Sequence, residues 1–513
     1  MHISAVDTLI VILYLLGMMF LGVYFARKNK NTEEYFLGGR SFGGIIIGIS
    51  LVGASISSIT FLAFPADAFK TSWIRFLTAF MMPIAVLVAS RIFLPFFKQG
   101  NTTSAYEFLE TRFGPSIRFY AAIVFLFAQL VRLAVILYLL SFVLYEITGL
   151  NPVWCVLISG CLVAFYTVTG GINAVIWADV VQTIILVIGG IMIMAIILYK
   201  LPGGLGEIFS VAVEHNKLSF ADVIDGKLVP IPWGFSLQNK TILMMFFLGL
   251  TGWLTAYCSD QNIIQRYCAS KSTSEARKAL WISTVISLSV WSFFMFLGTS
   301  LFVFFNKFPT QQTTEMLEGI RKAEQILPYF IMNYLPKGIL GLVVAAILAA
   351  AMSSLDSSIN AVSTIFVVDI YRRHLCRNRE DRHYLKVAWF VAVVASALMI
   401  LGSIILINTK TETLQDTASI IAAFFTGGML GIYIIGFFTK IGDARAIWSG
   451  IICTWFFTLW TTLSQKSWLP DSISISFDFY YTGLIGNIIM FLVGFTMAVI
   501  FRKFAKIQPI EVE

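Results

Sequence analysis

The stretch AAILAAAMSSLDSSINAVSTIFVVDIYRR, from Ala345 to Arg373, decides how this chain is interpreted. Its first half is apolar and rich in small residues, and with the residues before it, it is long enough to enter a bilayer. It then carries hydroxyl, carboxylate and amide side chains that lipid would not accept. On a helix, four of these follow the spacing i, i+3, i+4 and i+7 and therefore share one face. They are Ser353, Asp356, Ser357 and Asn360.

This polar face needs a partner inside the membrane. A carboxylate at membrane depth costs roughly 2.5 kcal/mol or more, so Asp356 should face protein, water or an ion. Hydroxyl and carboxylate oxygens are hard ligands that suit a hard cation. The alternative is a buried helix face whose serines bond back to carbonyls four residues earlier. Because that alternative leaves Asp356 without a partner, we favour a cation site in a membrane transporter.

The composition is typical of an integral membrane protein. Of the 513 residues, 58% are hydrophobic and 12% are charged, against about 25% charged in soluble proteins. In a membrane protein, the basic loops behind the net charge of +8 mostly set orientation. We therefore expect no nucleic-acid partner. The four histidines lie in loops or near the N-terminus and form no Ser/His/Asp grouping, so we do not expect an enzyme.

Thirteen predominantly apolar stretches of about 18 or more residues predict thirteen transmembrane helices in one transporter domain, residues 1–513. We number these spans in chain order. They are residues 7–27, 42–65, 73–97, 117–147, 152–170, 175–199, 241–259, 277–306, 336–371, 384–407, 417–439, 445–464 and 482–502.

The basic residues of the loops predict the orientation of the chain. Lys and Arg concentrate after spans 1, 3, 7, 9, 11 and 13, and the alternate loops are poor in basic residues or balanced by acids. Since positive loops stay inside, the N-terminus should lie outside and the C-terminus in the cytoplasm. We expect a multi-pass protein of the plasma membrane, in a bacterium the inner membrane.

Span 2 is predicted to be a broken helix. From Gly53 to Thr60 its centre consists mostly of small and hydroxyl residues. Helices broken at mid-membrane present backbone carbonyls to cations, as transporters do at their binding sites. Close packing of small residues between helices is the alternative.

Two further spans carry charges at membrane depth. Asp179 in span 6 could share a depth with Asp356, or it could be an interfacial carboxylate. Arg132 near the centre of span 4 needs a carboxylate or an anionic ligand, and both a permanent ion pair and ligand binding stay open. Asp67 and Arg75, near the outer ends of spans 2 and 3, are predicted to form a surface pair.

Three long motifs resemble the signature stretches of the sodium/solute symporter family, which includes sodium/glucose, sodium/iodide and sodium/proline cotransporters. They are TGGINAVIWADVVQ in span 6, SDQNIIQRYCASKS after span 7 and MSSLDSSINAVSTIFVVDIYRR in span 9. Within the family, ASISSITFLAFPADAF, TSAYEFLETRF and the arginine of span 4 are most similar to the bacterial sodium-coupled sialic acid symporters.

The resemblance implies the five-plus-five inverted-repeat fold of the amino-acid transporter LeuT, with one extra N-terminal and two extra C-terminal helices. The two repeats would be residues 42–199 and 241–439, joined by an extracellular loop, residues 200–240. Residues 1–41 would form the first helix and a cytoplasmic loop, and residues 440–513 the last two helices and a cytoplasmic tail.

The resemblance also implies sodium as the coupling ion. A first sodium site would use backbone oxygens and two hydroxyls, from Gly53, Ile56, Ala350, Ser353 and Ser354. A second sodium site, known in some members, would map to Asp179, Ser353, Asp356 and Ser357.

The solute in the sialic acid subgroup lies against span 2, with its carboxylate against the arginine of span 4. Here the corresponding residues are Ser55, Ser57, Thr60 and Arg132. This chain departs from the subgroup at Ala79, where a glutamine is expected, and at Arg75, where an aromatic is expected.

A further departure is Asp356, which stands where the relatives carry a hydroxyl. A second carboxylate near Asp179 would raise the apparent pKa of one of the pair unless a cation lies between them. Asp356 is therefore predicted to strengthen the inner cation site or to let it take a proton.

These features predict a sodium-coupled secondary active symporter that imports a small polar solute, with an acidic sugar such as sialic acid favoured. A neutral sugar, a polyol or a monocarboxylate is the alternative solute. A membrane sensor or channel that keeps the fold without coupling is the alternative function. The expected partners are the solute, sodium and the lipid bilayer, and we expect a monomer.

Overall fold

The computed structural model describes residues 4–56, 58–99, 102–224, 227–408, 427–465, 468–475, 477 and 479–505. The described chain is helical apart from one antiparallel hairpin, Ala221–Ile224 with Lys227–Pro230, in the loop between the predicted repeats. The all-α membrane fold expected from the sequence is therefore confirmed, and the hairpin is an addition that the sequence analysis did not foresee.

The longer apolar helices follow the predicted spans closely. In chain order they are Ala5–Ala26, Gly44–Ser55, Ser58–Lys70, Ile74–Lys98, Pro115–Thr148, Pro152–Lys200, Ile242–Ser259, Thr273–Lys307, Ile339–Ile365, Asp381–Asn408, Met429–Phe438, Ala444–Gln465 and Thr482–Ala505. Shorter helices are Thr32–Leu37, Glu107–Phe113, Gly204–Glu214, Gln261–Ala269, Gln311–Glu318 and Ile326–Tyr334, and a π-helical segment, Phe366–Leu375, continues Ile339–Ile365.

Ten of these helices are individually long and apolar enough to cross a membrane, or eleven if the bent pair Gly44–Ser55 and Ser58–Lys70 is one span. The helix Pro152–Lys200, which we name the long helix, covers predicted spans 5 and 6. At 1.5 Å per residue its 49 residues would extend about 74 Å, more than twice the roughly 30 Å of hydrocarbon. Residues 409–426, which include most of the N-terminal half of predicted span 11, lie outside the described residues. The count of thirteen therefore stays a prediction.

The long helix is interrupted between predicted spans 5 and 6. Gly171 has φ 54° and ψ −158°, which is not helical and which glycine adopts without steric cost. A Cβ at this position would lie 2.8 Å from the carbonyl oxygen of Tyr35. Gly171 therefore allows both the turn of the backbone and the close packing of the segment before span 2.

The broken helix, Gly44–Ser55 and Ser58–Lys70, is bent as the centre of span 2 predicted. Ile56 has extended backbone angles, φ −91° and ψ 111°, and the two halves differ in direction by 60°. Because an extended residue leaves the helical hydrogen-bond ladder, the carbonyl oxygen of Ile56 can accept from a partner outside its own helix.

The helix Ile339–Ile365, which we name the serine helix, lies at the centre of the fold. Nearly all its residues are buried, including the hydroxyl, carboxylate and amide side chains of its second half. Asp7 of the first helix accepts hydrogen bonds from the backbone N–H groups of Gly338 and Gly341, each at 2.7 Å. The first helix therefore caps the start of the serine helix, where a negative charge is favourable.

The loop before the hairpin is attached to the outer half of the broken helix. The Lys217 ammonium, only 3% exposed, donates to the carbonyl oxygens of Phe69, Lys70 and Thr71 at 2.7, 3.2 and 3.0 Å. It also lies 4.1 Å from the ring centroid of Phe302. This cation caps the carbonyl end of the helix, where the helix dipole favours positive charge.

Candidate functional site

The break in the broken helix meets the serine helix at Ser353. The hydroxyl oxygen of Ser353 lies 3.5 Å from the carbonyl oxygen of Ile56 and 3.2 Å from that of Ala350. Oxygens bound to one hard cation at about 2.4 Å stand about 3.4 Å apart when they subtend a right angle. Three of the five ligands predicted for the first sodium site therefore lie beside one another, at distances that are compatible with a shared cation and equally with hydrogen bonds from the Ser353 hydroxyl.

The other two predicted ligands of this site border the same contact. Ser354 is 1% exposed, and its hydroxyl oxygen has no hydrogen-bond partner among the described residues. Gly53 is buried one turn before the break, where a Cβ would come within 3.0 Å of Asp179 Cβ and of Thr183 Oγ1. Glycine here lets the broken helix approach the long helix closely, so the three helices meet around one small volume.

Asp179 is held by a buried ion pair. Its Oδ2 accepts hydrogen bonds from Arg266 at 2.6 Å and from the hydroxyl of Ser50 at 2.5 Å. The same guanidinium donates to Ser357 at 2.7 Å. Asp179 and Arg266 are 0% and 1% exposed, so the pair joins the long helix, the broken helix and the serine helix in the protein interior.

Arg266 is a residue that the sequence analysis misplaced. The rule used above for the basic loops places Arg266 in the loop after span 7, but it lies on the buried helix Gln261–Ala269 and points into the core. The signal was available, because an ionised carboxylate at the depth assigned to Asp179 needs a compensating charge. The arginine of the motif SDQNIIQRYCASKS, Arg266, was the candidate for that charge.

Asp356 has polar partners but no cationic one. Its two oxygens accept from the hydroxyls of Tyr166, at 2.7 Å, and Ser357, at 3.3 Å. Tyr166 is in turn 3.5 Å from the amide nitrogen of Gln182, which also lies 3.5 Å from the hydroxyl of Tyr14. Within the described ranges, no lysine or arginine lies within ion-pair distance of Asp356, in contrast to Asp179.

Several buried oxygens near the two carboxylates have no donor among the described residues. Asp179 Oδ1, Thr183 Oγ1 and Gln182 Oε1 belong to this group. Asp179 and Thr183 are one helical turn apart and both face Gly53. Unpaired buried oxygens are costly unless a cation or another donor satisfies them. The donor set therefore fits a hard cation, and it adds Thr183 and Gln182 to the residues that sequence reasoning named.

The structure does not bring all of the residues predicted to bind the solute into contact with one another. Ser55 bonds back to its own helix, donating to the carbonyls of Leu51 and Val52 at 2.9 Å each, which is a common arrangement of serine in transmembrane helices. Thr60 is buried, and Ser57 lies outside the described residues. No hydrogen bond links Arg132 to Ser55 or Thr60 in the described part of the chain.

Arg132 is half-buried on the helix Pro115–Thr148. In the ranges that the structure describes, no carboxylate lies within ion-pair distance of it, so a permanent ion pair does not account for its charge there. Gln129, one turn earlier on the same face, is 6% exposed, and its Oε1 has no donor among the described residues. Gln129 is thus a candidate polar contact that the sequence analysis did not single out.

The surface pair predicted near the outer ends of spans 2 and 3 is confirmed. The guanidinium of Arg75 is paired with Asp67, and both side chains are partly exposed. Together with a second pair, Lys240 and Asp222 at 2.8 Å, they line a cavity of about 750 Å³. Ala79 is buried beside this region and does not line the cavity.

Comparison with known proteins identifies the family. The profile of the sodium:solute symporter family matches residues 35–453, most of the chain. The chain belongs to the sodium:solute symporter family. Family membership confirms the resemblance drawn from the three motifs, and with it a multi-pass membrane transporter and sodium as the coupling ion.

Individual members of the sodium:solute symporter family are similar over nearly the full length. The sodium/sialic acid symporter NanT of Aliivibrio fischeri is 30% identical, covering 96% of this chain and 92% of its own. The sodium/sialic acid symporter SiaT of Proteus mirabilis is 31% identical, covering 95% and 94%.

Solved structures agree with the fold. A Na+-coupled sialic acid symporter in a substrate-bound outward-open state, reported with a novel Na+ site, matches with a TM-score of 0.85 at 29% identity, covering 97% of this chain and 98% of its own. More distant LeuT-fold transporters, at 14% identity and TM-scores of 0.54 and 0.51, share the fold alone.

Replacing Arg266 with methionine should strongly destabilise this sodium:solute symporter family member, because Asp179 would be left as an uncompensated buried charge. Removing one partner of a buried pair costs about 3–5 kcal/mol. The measurement is thermal unfolding of the purified protein. Combining Arg266→Met with Asp179→Asn should restore much of the loss.

Arg321→Met is the matched control, since Arg321 pairs with Glu315 at 2.5 Å on the surface and exposed pairs contribute about 0–1 kcal/mol. An Arg266→Met protein as stable as the wild type, or no recovery in the double variant, would show that the pair does not have this role.

Proposed function

We propose that this protein is a sodium-coupled symporter that imports an acidic sugar such as a sialic acid by alternating access. The observation that carries the proposal is the meeting of Ile56, Ala350 and Ser353 oxygens from two helices 297 residues apart at the contact between Ser353 and Ile56. The similarity to NanT, SiaT and the solved sialic acid symporter supports the choice of solute.

The first sodium site would link the two halves of the transport machinery. A sodium ion held by Gly53, Ile56, Ala350, Ser353 and Ser354 would tie the broken helix to the serine helix. It would then favour the outward-open form that accepts solute, which is a population shift between two conformations. Each elementary charge that moves down 100 mV contributes about 2.3 kcal/mol, so a second sodium ion would allow steeper accumulation.

The second sodium site would gather Asp179, Ser353, Asp356 and Ser357. Since Arg266 already balances one oxygen of Asp179, the negative charge that attracts a second cation would come mainly from Asp356. The donor-free oxygens of Asp179, Thr183 and Gln182 support a cation between the long helix and the serine helix. A proton on Asp356 is the alternative occupant.

The solute site would lie along span 2 and face the arginine of span 4. Ser55, Ser57 and Thr60 would contact the sugar, and Arg132 would bind its carboxylate through a bidentate fork. The half-buried Arg132 without a carboxylate partner among the described residues supports an anionic solute. This chain has Ala79 where the sialic acid subgroup presents a glutamine to the solute. Because that contact is missing here, a neutral sugar, a polyol or a monocarboxylate is the second candidate solute.

The finer layout of the fold is also part of this proposal. We infer thirteen spans, with inverted repeats at residues 42–199 and 241–439, an N-terminus outside and a C-terminus in the cytoplasm. The non-helical Gly171, at the junction of predicted spans 5 and 6, supports a reversal of the chain there. A monomer in the plasma membrane, for a bacterium the inner membrane, completes the proposal.

Removing a hydroxyl ligand of the first site should weaken sodium dependence. We expect Ser353→Ala and Ser354→Ala to raise the sodium concentration for half-maximal uptake by about 10- to 100-fold, since a hydrogen bond or ligand contact to a charged group contributes about 1.5–3 kcal/mol. Uptake into proteoliposomes against a solute gradient measures this.

The control is Ser363→Ala on the same helix, because Ser363 donates to Ala388 at 2.8 Å, away from the contact at Ser353. Equal effects of all three variants would reject the site. Absence of concentrative uptake in the wild type would favour the sensor or channel alternative.

Replacing Arg132 should separate acidic from neutral solutes. In Arg132→Ala, the apparent affinity for a carboxylate sugar should fall by about 10- to 100-fold, while affinity for its methyl ester should change little. Competition against radiolabelled solute in proteoliposomes measures both. Arg321→Ala is the control, since Arg321 belongs to an exposed pair with Glu315. Equal losses for acid and ester would argue against recognition of the carboxylate by Arg132.

Asp356→Ser restores the hydroxyl expected at this position and tests the second cation site. If Asp356 binds sodium, we expect the ratio of sodium to solute to fall in this variant. If Asp356 binds a proton, we expect the pH dependence of uptake to weaken. Either change would follow from the loss of the uncompensated carboxylate. Reversal-potential measurements in proteoliposomes give the coupling ratio. If sodium dependence, coupling ratio and pH profile all match the wild type, Asp356 has neither role.

A further inference from the structure

A basic cavity lies on the face predicted to be cytoplasmic, outside the site described above. Its volume is about 810 Å³, within the range typical of small-molecule sites. Its walls come from residues 31–40, from the start of the helix Pro115–Thr148 and from the segment that follows the serine helix. Six arginines line it, namely Arg40, Arg118, Arg372, Arg373, Arg377 and Arg379, against three carboxylates, Glu33, Glu107 and Asp381.

Three of the arginines belong to ion pairs. Arg40 pairs with Glu33 at 3.2 Å. Arg118 lies 2.7 Å from Glu110 and 2.5 Å from Asp369, and Arg373 pairs with the other oxygen of Glu110. Burial acts to raise the pKa of Glu110, but the hydrogen bonds from Arg118 and Arg373 outweigh it and leave that pKa below its usual range. These pairs form the neutral floor of the cavity.

The two other carboxylates that line the cavity, Asp381 and Glu107, accept hydrogen bonds from neighbouring residues. Asp381 accepts from the backbone N–H of Thr32 at 2.7 Å and from its hydroxyl at 2.5 Å. Glu107 accepts from the backbone N–H groups of Thr103 and Ser104 at 3.0 and 2.9 Å.

The three other arginines that line the cavity give its wall a net positive charge. Within the described part of the chain, no carboxylate lies within ion-pair distance of Arg372, Arg377 or Arg379.

The segment that presents these three arginines is folded rather than extended into solvent. The guanidinium of Arg372 lies over the ring of Tyr384, 5.3 Å from its centroid. Arg377 Nε donates to the carbonyl of Arg373 at 2.7 Å. The hydroxyl of Tyr384 donates to the carbonyl of Cys376 and accepts from the backbone N–H of Arg379, at 2.9 and 3.1 Å. The arginines are therefore carried on a fixed turn at the cavity.

The chemistry of the cavity favours phosphate. Guanidinium groups recognise phosphate oxygens through paired hydrogen bonds and stay charged at every physiological pH. Basic pockets at the cytoplasmic ends of transmembrane helices are typical sites for anionic lipid headgroups. Leu375, on the same turn, is 67% exposed, and Phe119, which packs against His374, is 42% exposed. Apolar side chains at this level would lie against acyl chains.

We propose that this cavity binds a phosphate-bearing anion through Arg372, Arg377 and Arg379, either the headgroup of an anionic lipid of the inner leaflet or a soluble phosphate. The proposal does not depend on which solute the protein transports. The positive-inside rule explains basic loops on this face. It does not explain three arginines that have no carboxylate partner among the described residues and that are held at one cavity, Arg372 at the end of the segment Phe366–Leu375 and Arg377 and Arg379 just after it.

The test is thermal unfolding of the full-length protein in detergent, titrated with two sets of probes. Dioctanoyl phosphatidylglycerol is compared with zwitterionic dioctanoyl phosphatidylcholine, and inorganic phosphate is compared with chloride at equal ionic strength. The variant is Arg372→Gln/Arg377→Gln/Arg379→Gln. The control is Lys271→Gln/Arg277→Gln/Lys278→Gln, which removes the same charge from exposed residues on the same predicted face.

We expect phosphatidylglycerol or phosphate to raise the unfolding midpoint of the wild type and of the control. In the triple arginine variant the apparent affinity should fall by at least about tenfold, since each basic residue near the surface contributes about fivefold to anionic lipid binding. If only phosphatidylglycerol raises the unfolding midpoint, the ligand is the headgroup of an anionic lipid. If only inorganic phosphate raises it, the ligand is a soluble phosphate.

The proposal is overturned if neither probe shifts the wild type, or if the control variant loses as much affinity as the arginine variant, because bulk charge would then explain binding. If the triple variant does not fold, Arg377→Gln/Arg379→Gln serves in its place, since both side chains are exposed.

Discussion

The interruption of one helix at Ile56 is the constraint on which the rest of the structure depends. In a bilayer every backbone polar group needs a partner inside the protein, so irregular backbone at membrane depth occurs only where it is buried or lines a cavity. Here the extended residue faces the serine helix, where the single hydroxyl of Ser353 lies 3.2 and 3.5 Å from the carbonyl oxygens of Ala350 and Ile56. The carbonyl oxygen of Ile56 at the break therefore lies beside oxygens of the serine helix, where the proposed cation could satisfy it.

Charge compensation explains much of the remaining architecture. The buried Asp179 is balanced by Arg266, and nearer the face predicted to be cytoplasmic Asp369 and Glu110 are balanced by Arg118 and Arg373. Asp356 is the contrast, since its partners are hydroxyls. Among the described residues this buried carboxylate is served by neutral donors, which leaves its charge costly, and this is why we propose Asp356 as the place of a second cation or a proton.

Those features of the fold that depend on hydropathy and on patterns of small residues could be predicted from the sequence. Most of the apolar helices and the break in span 2 could be predicted because period, length and polarity act locally, whereas the count of thirteen spans stays a prediction. Arg266 was misplaced, because a basic residue after an apolar span resembles a loop anchor until the fold turns its helix inward. The capping of Phe69 and its neighbours by Lys217 depends on contacts about 150 residues apart, which no local pattern encodes. The hairpin, in contrast, has a local signal in Asp225-Gly226, since this dipeptide between alternating apolar residues favours a tight turn.

The most direct test of the central claim is a high-resolution experimental structure of the protein in sodium, compared with one in choline. The account predicts a density peak in sodium alone, about 2.4 Å from the carbonyl oxygens of Ile56 and Ala350 and from the hydroxyl of Ser353. A sodium-dependent peak elsewhere, or no peak at this contact under conditions that support uptake, would contradict it.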